Sequence, residues 1–194
     1  MKDLVFATSN KGKLVELQGL VGEGVKIASL ADYPQLGEIP ETADTFEGNS
    51  ELKARAVAMA TGRWALADDS GLVVDALSGR PGVYSARYAP TDAERIAKLL
   101  AELGGVDDVK RTARFVCSLC LCSPTGEVVF TRGTCEGRIG HAPRGAHGFG
   151  YDPIFELPDG HTLAELTHDQ KSGLSHRGHA FRLMVPELKA RLGA

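Results

Sequence analysis

The chain has 194 residues, of which 43% are hydrophobic and 24% charged, with a formal net charge of −3. This composition is typical of a globular protein, and the length suits one domain with a sizeable core. The small negative charge argues against general nucleic-acid coating. No apolar run approaches the roughly 20 residues of a membrane helix, and the N-terminus lacks the apolar stretch of a secretory signal. We therefore expect a cytoplasmic protein with no nucleic-acid or membrane partner.

Apolar runs and helical spacing divide the chain into short strands and helices. Strands are predicted at Leu4–Ala7, Trp64–Ala67, Ala113–Cys122 and Glu127–Arg132. Helices are predicted at 14–21, 45–62, 91–104, from 162 onward, and 175–192. Thr91 and Thr162 each begin a capping-box pattern. The alternation predicts an α/β or α+β fold, with residues 1–194 forming one domain of two lobes around a cleft.

The first polar cluster, Thr8-Ser9-Asn10-Lys11-Gly12-Lys13, lies between a predicted strand and a helix. Backbone N–H groups at a helix start, together with two lysines, suit a phosphate. The spacing is not that of a Walker A loop. An ordinary capped helix with exposed lysines would have the same sequence.

The second cluster, Asp68-Asp69-Ser70-Gly71, is predicted to be an acidic turn at the end of a strand. Adjacent carboxylates repel each other, and Mg²⁺ is a natural compensating cation because it prefers oxygen ligands. A solvated acidic turn is the alternative. An upstream acidic stretch offers a further metal ligand but does not by itself identify which carboxylate, and Lys53 by default is a surface lysine.

Two later segments carry aromatic and basic side chains. The glycine-rich loop 145–153 presents Phe149, which can stack on a base, although this loop by itself slightly favours Phe149 packed into the core. Lys171, His176 and Arg177 cluster near a helix start, where their donors can meet phosphate or a purine oxygen.

Three of the four cysteines lie within six positions of one predicted strand. The C-x-x-C-x-C spacing suggests zinc superficially, but strand geometry places Cys117 on the face opposite Cys120 and Cys122. We expect reduced, buried thiols, as is usual in the cytosol.

Taken together, these segments resemble the inosine triphosphate pyrophosphatase family, also called dITP/XTP pyrophosphatases, over nearly the whole length. The matching motifs occur in order and are Thr8–Lys13 with Glu16, Thr45-Phe46-x-x-Asn49 with Lys53, Ala67–Leu72, Pro81–Arg87, Gly148–Pro153, Lys171-Ser172 and Ser175–Arg177.

The resemblance implies an elongated two-lobed mixed-sheet α/β fold with a central active-site cleft, usually in a homodimer. It implies a Mg²⁺-dependent enzyme that converts ITP, dITP or XTP to the monophosphate and pyrophosphate. Asp69 is similar to the family's catalytic base and a Mg²⁺ ligand, and Glu41 to a second ligand. The implied substrate contacts are Thr8, Ser9, Asn10, Lys11, Gly12, Lys13, Lys53, Ser70 and Lys171, with Phe149, Gly150, Tyr151 and Asp152 in the base pocket and His176 and Arg177 reading the base.

Two other functions remain open at this point. One is a Maf-like pyrophosphatase acting on pyrimidine triphosphates, and the other is a regulator that binds nucleotide without hydrolysis. A carboxylate such as Asp69 gains little in a mere binder, since it repels phosphates. Inosine and xanthosine carry an oxygen at C6, to which Arg177 or protonated His176 can donate, whereas the adenine amino group leaves that donor unmatched. The exclusion of GTP is not explained by the sequence.

Overall fold

The computed structural model describes residues 3–22 and 24–193. The side chains of His168, Asp169 and the motif residue Ser172 lie outside this description.

The described residues form a mixed α/β structure, which confirms the predicted fold class. Its strands are β1 Asp3–Phe6, β2 Lys26–Ser29, β3 Trp64–Val74, β4 Thr112–Cys122, β5 Val128–Ile139 and β6 Phe155–Glu156. Its α-helices are α1 Lys11–Val21, α2 Phe46–Thr61, α3 Asp92–Glu102, α4 His168–Leu174 and α5 His176–Leu192. The six strands lie in one sheet in the order β2-β1-β3-β4-β5-β6. β1 pairs parallel to both β2 and β3, and β5 pairs antiparallel to β6.

Local capping explains where several helices begin. The hydroxyl of Thr45 accepts from the Gly48 N–H at the start of α2, and Thr91 forms a complete capping box with Glu94 at the start of α3, as predicted. The helix predicted from Thr162 is wrong. The Thr162 hydroxyl instead donates to the Arg144 carbonyl, and the chain turns. The next helix begins after Thr167, whose capping box with Gln170 was not predicted.

The acidic segment 68–71 is not a turn, which corrects the sequence-based expectation. β3 continues through it as an 11-residue strand. Asp68 and Asp69 are both buried there. Aspartate disfavours strands intrinsically, but a strand of the sheet interior accepts it when other parts of the chain supply partners for the carboxylate. The two aspartates therefore stand on a regular element, with side chains on opposite faces.

The chain divides into two compact units. The described residues of the first fall within Met1–Asp69, Cys117–Gly133 and Arg177–Ala194, and those of the second within Ser70–Val116 and Thr134–His176. The first unit has two apolar clusters. Cys117 packs in one with Leu119 and Leu121, while Cys120 and Cys122 pack in the other. The predicted opposite facing of these thiols is confirmed, and all four cysteines are buried and outside any disulfide.

The second unit has a single large apolar cluster. Residues of α3 pack there with the first half of β4 and with the segment around Phe155. Phe115 and Phe155 form a tilted ring pair with centroids 4.7 Å apart. In the described part of the chain, no helix combines the length and apolar character needed to cross a membrane.

Candidate active site

The polar segment 8–13 begins α1, as predicted. Asn10 is the N-cap, and its side-chain oxygen accepts from the backbone N–H groups of Gly12 at 2.9 Å and Lys13 at 3.3 Å. Thr8 is buried and accepts from the Asn10 N–H, whereas Ser9, Asn10, Lys11 and Gly12 are exposed. Two N–H groups expected to face a phosphate are therefore satisfied by Asn10 in this structure.

Lys13 extends from α1 to the buried carboxylate of Asp68. Its Nζ donates to both Asp68 oxygens, at 3.0 and 2.7 Å. Arg177, at the start of α5, places its Nε 3.6 Å from the same carboxylate, whose side chain is 2% exposed. Burial by itself raises the pKa of Asp68, but the charges of Lys13 and Arg177 outweigh it and lower that pKa to about 2. One ionised carboxylate thus holds two cations from distant parts of the chain.

Two side chains of helix α2 donate hydrogen bonds to segment 68–69. Lys53 donates to Glu41 Oε1 at 2.5 Å and to the Asp68 carbonyl at 2.6 Å. Asn49 donates from Nδ2 to Asp69 Oδ2 at 3.0 Å. Lys53 is only 14% exposed. It is therefore not the surface lysine expected by default, and it places Glu41 beside the 68–69 segment.

The donor set suits a magnesium ion. Mg²⁺ is commonly held by one or two carboxylates together with substrate phosphates rather than by a complete protein cage. Glu41 and Asp69 supply such oxygen ligands. Among the residues that the structure describes, no group of three or more His, Cys, Asp or Glu side chains could hold a metal by itself.

In the second unit, the loop 145–153 presents an exposed aromatic ring. The Phe149 side chain is 67% exposed, so the core packing that the loop sequence favoured is wrong. Lys171 lies over this ring with Nζ 5.2 Å from the centroid, and it also forms an ion pair with the buried Asp152. The ring is therefore available to stack on a flat ligand, with a cation beside it.

Hydrogen bonds between side chains and backbone groups fix the shape of this loop. Asp152 Oδ2 accepts from the Phe149 N–H at 2.9 Å, and Asp92 accepts from the Gly150 N–H at 2.8 Å. The Tyr151 hydroxyl donates to the Ser85 carbonyl at 3.0 Å. Gly148 has φ +78°, and a Cβ there would lie 2.2 Å from Asp152 Oδ2, so only glycine fits.

The remaining predicted residues fall in one unit or the other. Ser70 and His176 belong to the second, and the ring of His176 stacks on Phe115 at 5.1 Å between centroids. The first unit brings together Lys13, Lys53, Asp68, Asp69, Glu41 and Arg177. The second brings together Phe149, Asp152 and Lys171.

Two residues of the first group were given no role from the sequence. Asn49 was quoted only as part of a motif, and Asp68 only as the neighbour of Asp69. Their partners lie 20 and 55 residues away in the chain. The signal available was the motif spacing that places Asn49 four residues before Lys53, on one face of α2.

Comparisons with known proteins give matches over nearly the whole chain. A model of the Ham1 family matches residues 4–187. A dITP/XTP pyrophosphatase of Nostoc sp. is 51% identical over 100% of this chain and 97% of that protein, and one of Exiguobacterium sp. is 51% identical over 95% and 96%. The solved structure of a HAM1 protein from Coxiella burnetii superposes with a TM-score of 0.92 and 42% identity, covering 98% of this chain and all of that chain. The chain belongs to the Ham1 family.

Proposed function

We propose that the protein is a nucleoside triphosphate pyrophosphohydrolase that converts ITP, dITP and XTP to the monophosphate and pyrophosphate. It thereby removes deaminated purines from the nucleotide pool. Relatives named dITP/XTP pyrophosphatases, about half identical over the whole length, support this activity. The class of reaction is hydrolysis of the anhydride bond between the α- and β-phosphates.

The observation that carries the proposal is a pair of adjacent buried carboxylates with different partners. Asp68 is held by Lys13 and Arg177, which keeps it ionised. Asp69 accepts from the neutral amide of Asn49. A carboxylate oriented by an amide retains basic oxygen for a proton, whereas one between two cations serves as a fixed charge.

In the proposed reaction, Asp69 accepts a proton from the attacking water. The oxygen of that water bonds to the α-phosphorus, the bond from that phosphorus to the bridging oxygen breaks, and pyrophosphate leaves with that oxygen. Lys13 and Lys53 offset the negative charge of the outer phosphates. Catalysis then depends mainly on positioning and on charge stabilisation.

Enzymes of this class generally use a divalent metal ion, and we assign Mg²⁺ to this one, with Glu41 and Asp69 as its protein ligands. The bound cation supplies charge neutralisation on the phosphates and lowers the pKa of water. Glu41 is ion-paired with Lys53 in the protein alone. The lysine therefore competes with a cation for this carboxylate until phosphate oxygens offer it another partner.

For the base, we assign stacking to Phe149 and hydrogen bonding at C6 to His176 and Arg177. The exposed ring of Phe149 and the constrained loop around it support the stacking role. The guanidinium donors match a C6 oxygen and leave adenine without a matching acceptor, which favours ITP and XTP over ATP. We also propose that the enzyme is a homodimer and acts in the cytoplasm.

The test is pyrophosphate release from a nucleotide panel, with and without Mg²⁺. The expected result is Mg²⁺-dependent release with kcat/KM for ITP, dITP and XTP well above that for ATP, GTP and dTTP. Comparable values for all the purine nucleotides would contradict the base assignment. Preference for dTTP would indicate the pyrimidine-specific alternative, and binding without release would indicate a regulator.

A further inference from the structure

We propose that Asn49 is a positioning residue for the reaction and acts by fixing the orientation of the Asp69 carboxylate. This inference rests on the proposed function, because it assigns to Asp69 the role of the base. Asn49 lies in the first turn of α2 and is fully buried. It has two side-chain hydrogen bonds, one to Asp69 and one to the backbone of Ala43.

The orientation of the Asn49 amide is determined by its partners. The Ala43 N–H can only donate, so the atom 2.9 Å from it must be the amide oxygen. The NH₂ group therefore faces Asp69, with Nδ2 3.0 Å from Oδ2. A rotated amide would place two donors together and two acceptors together, which is costly in a buried site. The carboxylate of Asp69 thus receives a donor that cannot turn away.

Lys53 repeats this arrangement one helical turn later. Asn49 joins the Ala43 backbone to the Asp69 side chain, and Lys53 joins the Glu41 side chain to the Asp68 carbonyl. Positions 49 and 53 share one face of α2. These two bridges tie segment 41–43 to segment 68–69 through a single rigid helix. The two segments carry both proposed metal ligands. The hydrogen bonds of the uncharged Asn49 therefore also help to set the distance between Glu41 and Asp69.

The Asn49 amide can orient the Asp69 carboxylate because both groups are buried. The Asp69 carboxylate is buried, so a donor fixed at 3.0 Å from its Oδ2 limits the rotation of that carboxylate and helps to orient its oxygens. A neutral donor does this without the charge that a lysine would add, and leaves the carboxylate able to accept a proton. Asn49 does not itself contact the reacting atoms in this proposal.

The experiment compares Asn49→Leu and Asn49→Asp with the wild type in pyrophosphate release from ITP at saturating Mg²⁺. Asn49→Leu keeps the number and branching of the side-chain heavy atoms and removes both hydrogen bonds. Asn49→Asp keeps an acceptor for the Ala43 N–H but loses the donor to Asp69. The matched control is Ser50→Ala, the adjacent buried residue, whose hydroxyl bonds Glu47 O and lies 3.4 Å from Ser118 Oγ. All four proteins are also measured for thermal unfolding and for affinity toward a triphosphate with a non-hydrolysable α,β bridge.

We expect kcat to fall roughly 10- to 100-fold in both Asn49 variants, as for other residues that orient a reacting or metal-binding group. KM and the affinity for the analogue should stay near the wild-type values, and Ser50→Ala should keep its kcat even if its unfolding temperature falls. A kcat unchanged in Asn49→Leu, in an active wild-type background, overturns the positioning role alone. An inactive wild type overturns the proposed function and this inference with it.

A double variant separates positioning from a merely structural effect. If Asn49 acts through Asp69, then adding Asn49→Leu to Asp69→Asn should lower the residual rate no further. A further fall of the same size as in the single variant means that Asn49 acts by another route and overturns the proposal. Residual rates are measured in single-turnover reactions with excess enzyme, so that slow chemistry is resolved from binding.

Discussion

The two units of the molecule hold their candidate functional groups in different ways. In the first, the charged groups come from strand β3 and from helices α1, α2 and α5, and they are largely buried, apart from Glu41 on the irregular segment before α2. Asp68 has a 2% exposed side chain between two cations. In the second, Phe149 is 67% exposed on a loop whose shape is fixed by three hydrogen bonds, to Asp152, Asp92 and the Ser85 carbonyl.

The difference follows from the interactions that each group has to make. A buried charge without a fixed partner is costly, and a small displacement of a base or metal ligand lowers the rate severely. Stacking tolerates displacement, because any base offers a flat face. Regular elements therefore carry all of these charges except Glu41, and a loop carries the ring. Substitutions in the first unit should affect chemistry and stability, and those in the loop mainly binding.

The largest effect is expected from Asp69→Asn. Removing the proton acceptor should lower kcat by roughly 10²- to 10⁴-fold. The unfolding temperature and the affinity for a non-hydrolysable analogue should change little, because the amide has the same shape. Pyrophosphate release and thermal unfolding measure these quantities. Asp159→Asn, an identical change at an exposed carboxylate, is the control. Near wild-type turnover of Asp69→Asn would show that Asp69 is not the base.

Asp68 should make stability depend on pH. Its pKa is about 2 in the folded protein, below the ordinary value of 3.8. Because the folded pKa is lowered, the stabilisation is fully present above about pH 4 and is lost as pH falls through about 2. The contribution is about 2 kcal/mol. Denaturant unfolding from pH 2 to 6 should show Asp68→Asn less stable than the wild type at pH 6, with the difference shrinking on acidification. A difference independent of pH would rule out this charge effect.

Phe149→Ala should affect binding rather than chemistry. Loss of one aromatic stack costs about 1–3 kcal/mol, so KM for ITP and XTP should rise roughly 5- to 150-fold with a smaller change in kcat. Stability should hold, since the ring is mostly exposed. Initial rates over a range of substrate concentrations test this. Phe130→Ala, at a ring 39% exposed in the first unit, is the control. An unchanged KM would remove Phe149 from the base site.

The smallest effect is expected from thiol reagents. Burial raises the pKa of Cys120 to about 12 and that of Cys135 to about 11, so almost no thiolate exists at pH 8. The folded protein should resist a disulfide reagent and retain its rate of pyrophosphate release, while all four thiols should react in denaturant. Rapid reaction of the folded protein would contradict the burial of these cysteines.

The sequence predicted elements whose signals are local. Thr45 and Thr91 begin helices because a hydroxyl there meets the N–H groups of the next turn, and alternation along β4 placed Cys117 opposite Cys120. The acidic segment was misassigned because the partners that keep Asp68 and Asp69 in a strand are Lys13, Arg177 and Asn49, all distant in sequence. The loop taken by itself slightly favoured core packing for Phe149, because loop composition does not determine whether a ring meets solvent.

Thr162 shows a different limit. Its N–H does form the bond that the capping-box pattern predicts, donating to Glu165 Oε2 at 2.7 Å. The hydroxyl, however, is drawn to the Arg144 carbonyl 18 residues earlier. A local pattern therefore formed half of its hydrogen bonds without forming a helix. The candidate site residues were predicted mainly from several motifs in a fixed order, which is family resemblance rather than local physics.

The carboxylate of Asp68 acts as a resident counter-ion for Lys13 and Arg177. An anion that binds these cations has to compete with Asp68. Its net binding free energy is therefore the difference between its own attraction to the cations and that of the Asp68 carboxylate. A triphosphate, with its high charge, has more to offer in that exchange than a nucleoside monophosphate. If Lys13 contacts the outer phosphates as we propose, its pair with Asp68 can re-form once the anhydride bond is broken, which favours departure of pyrophosphate.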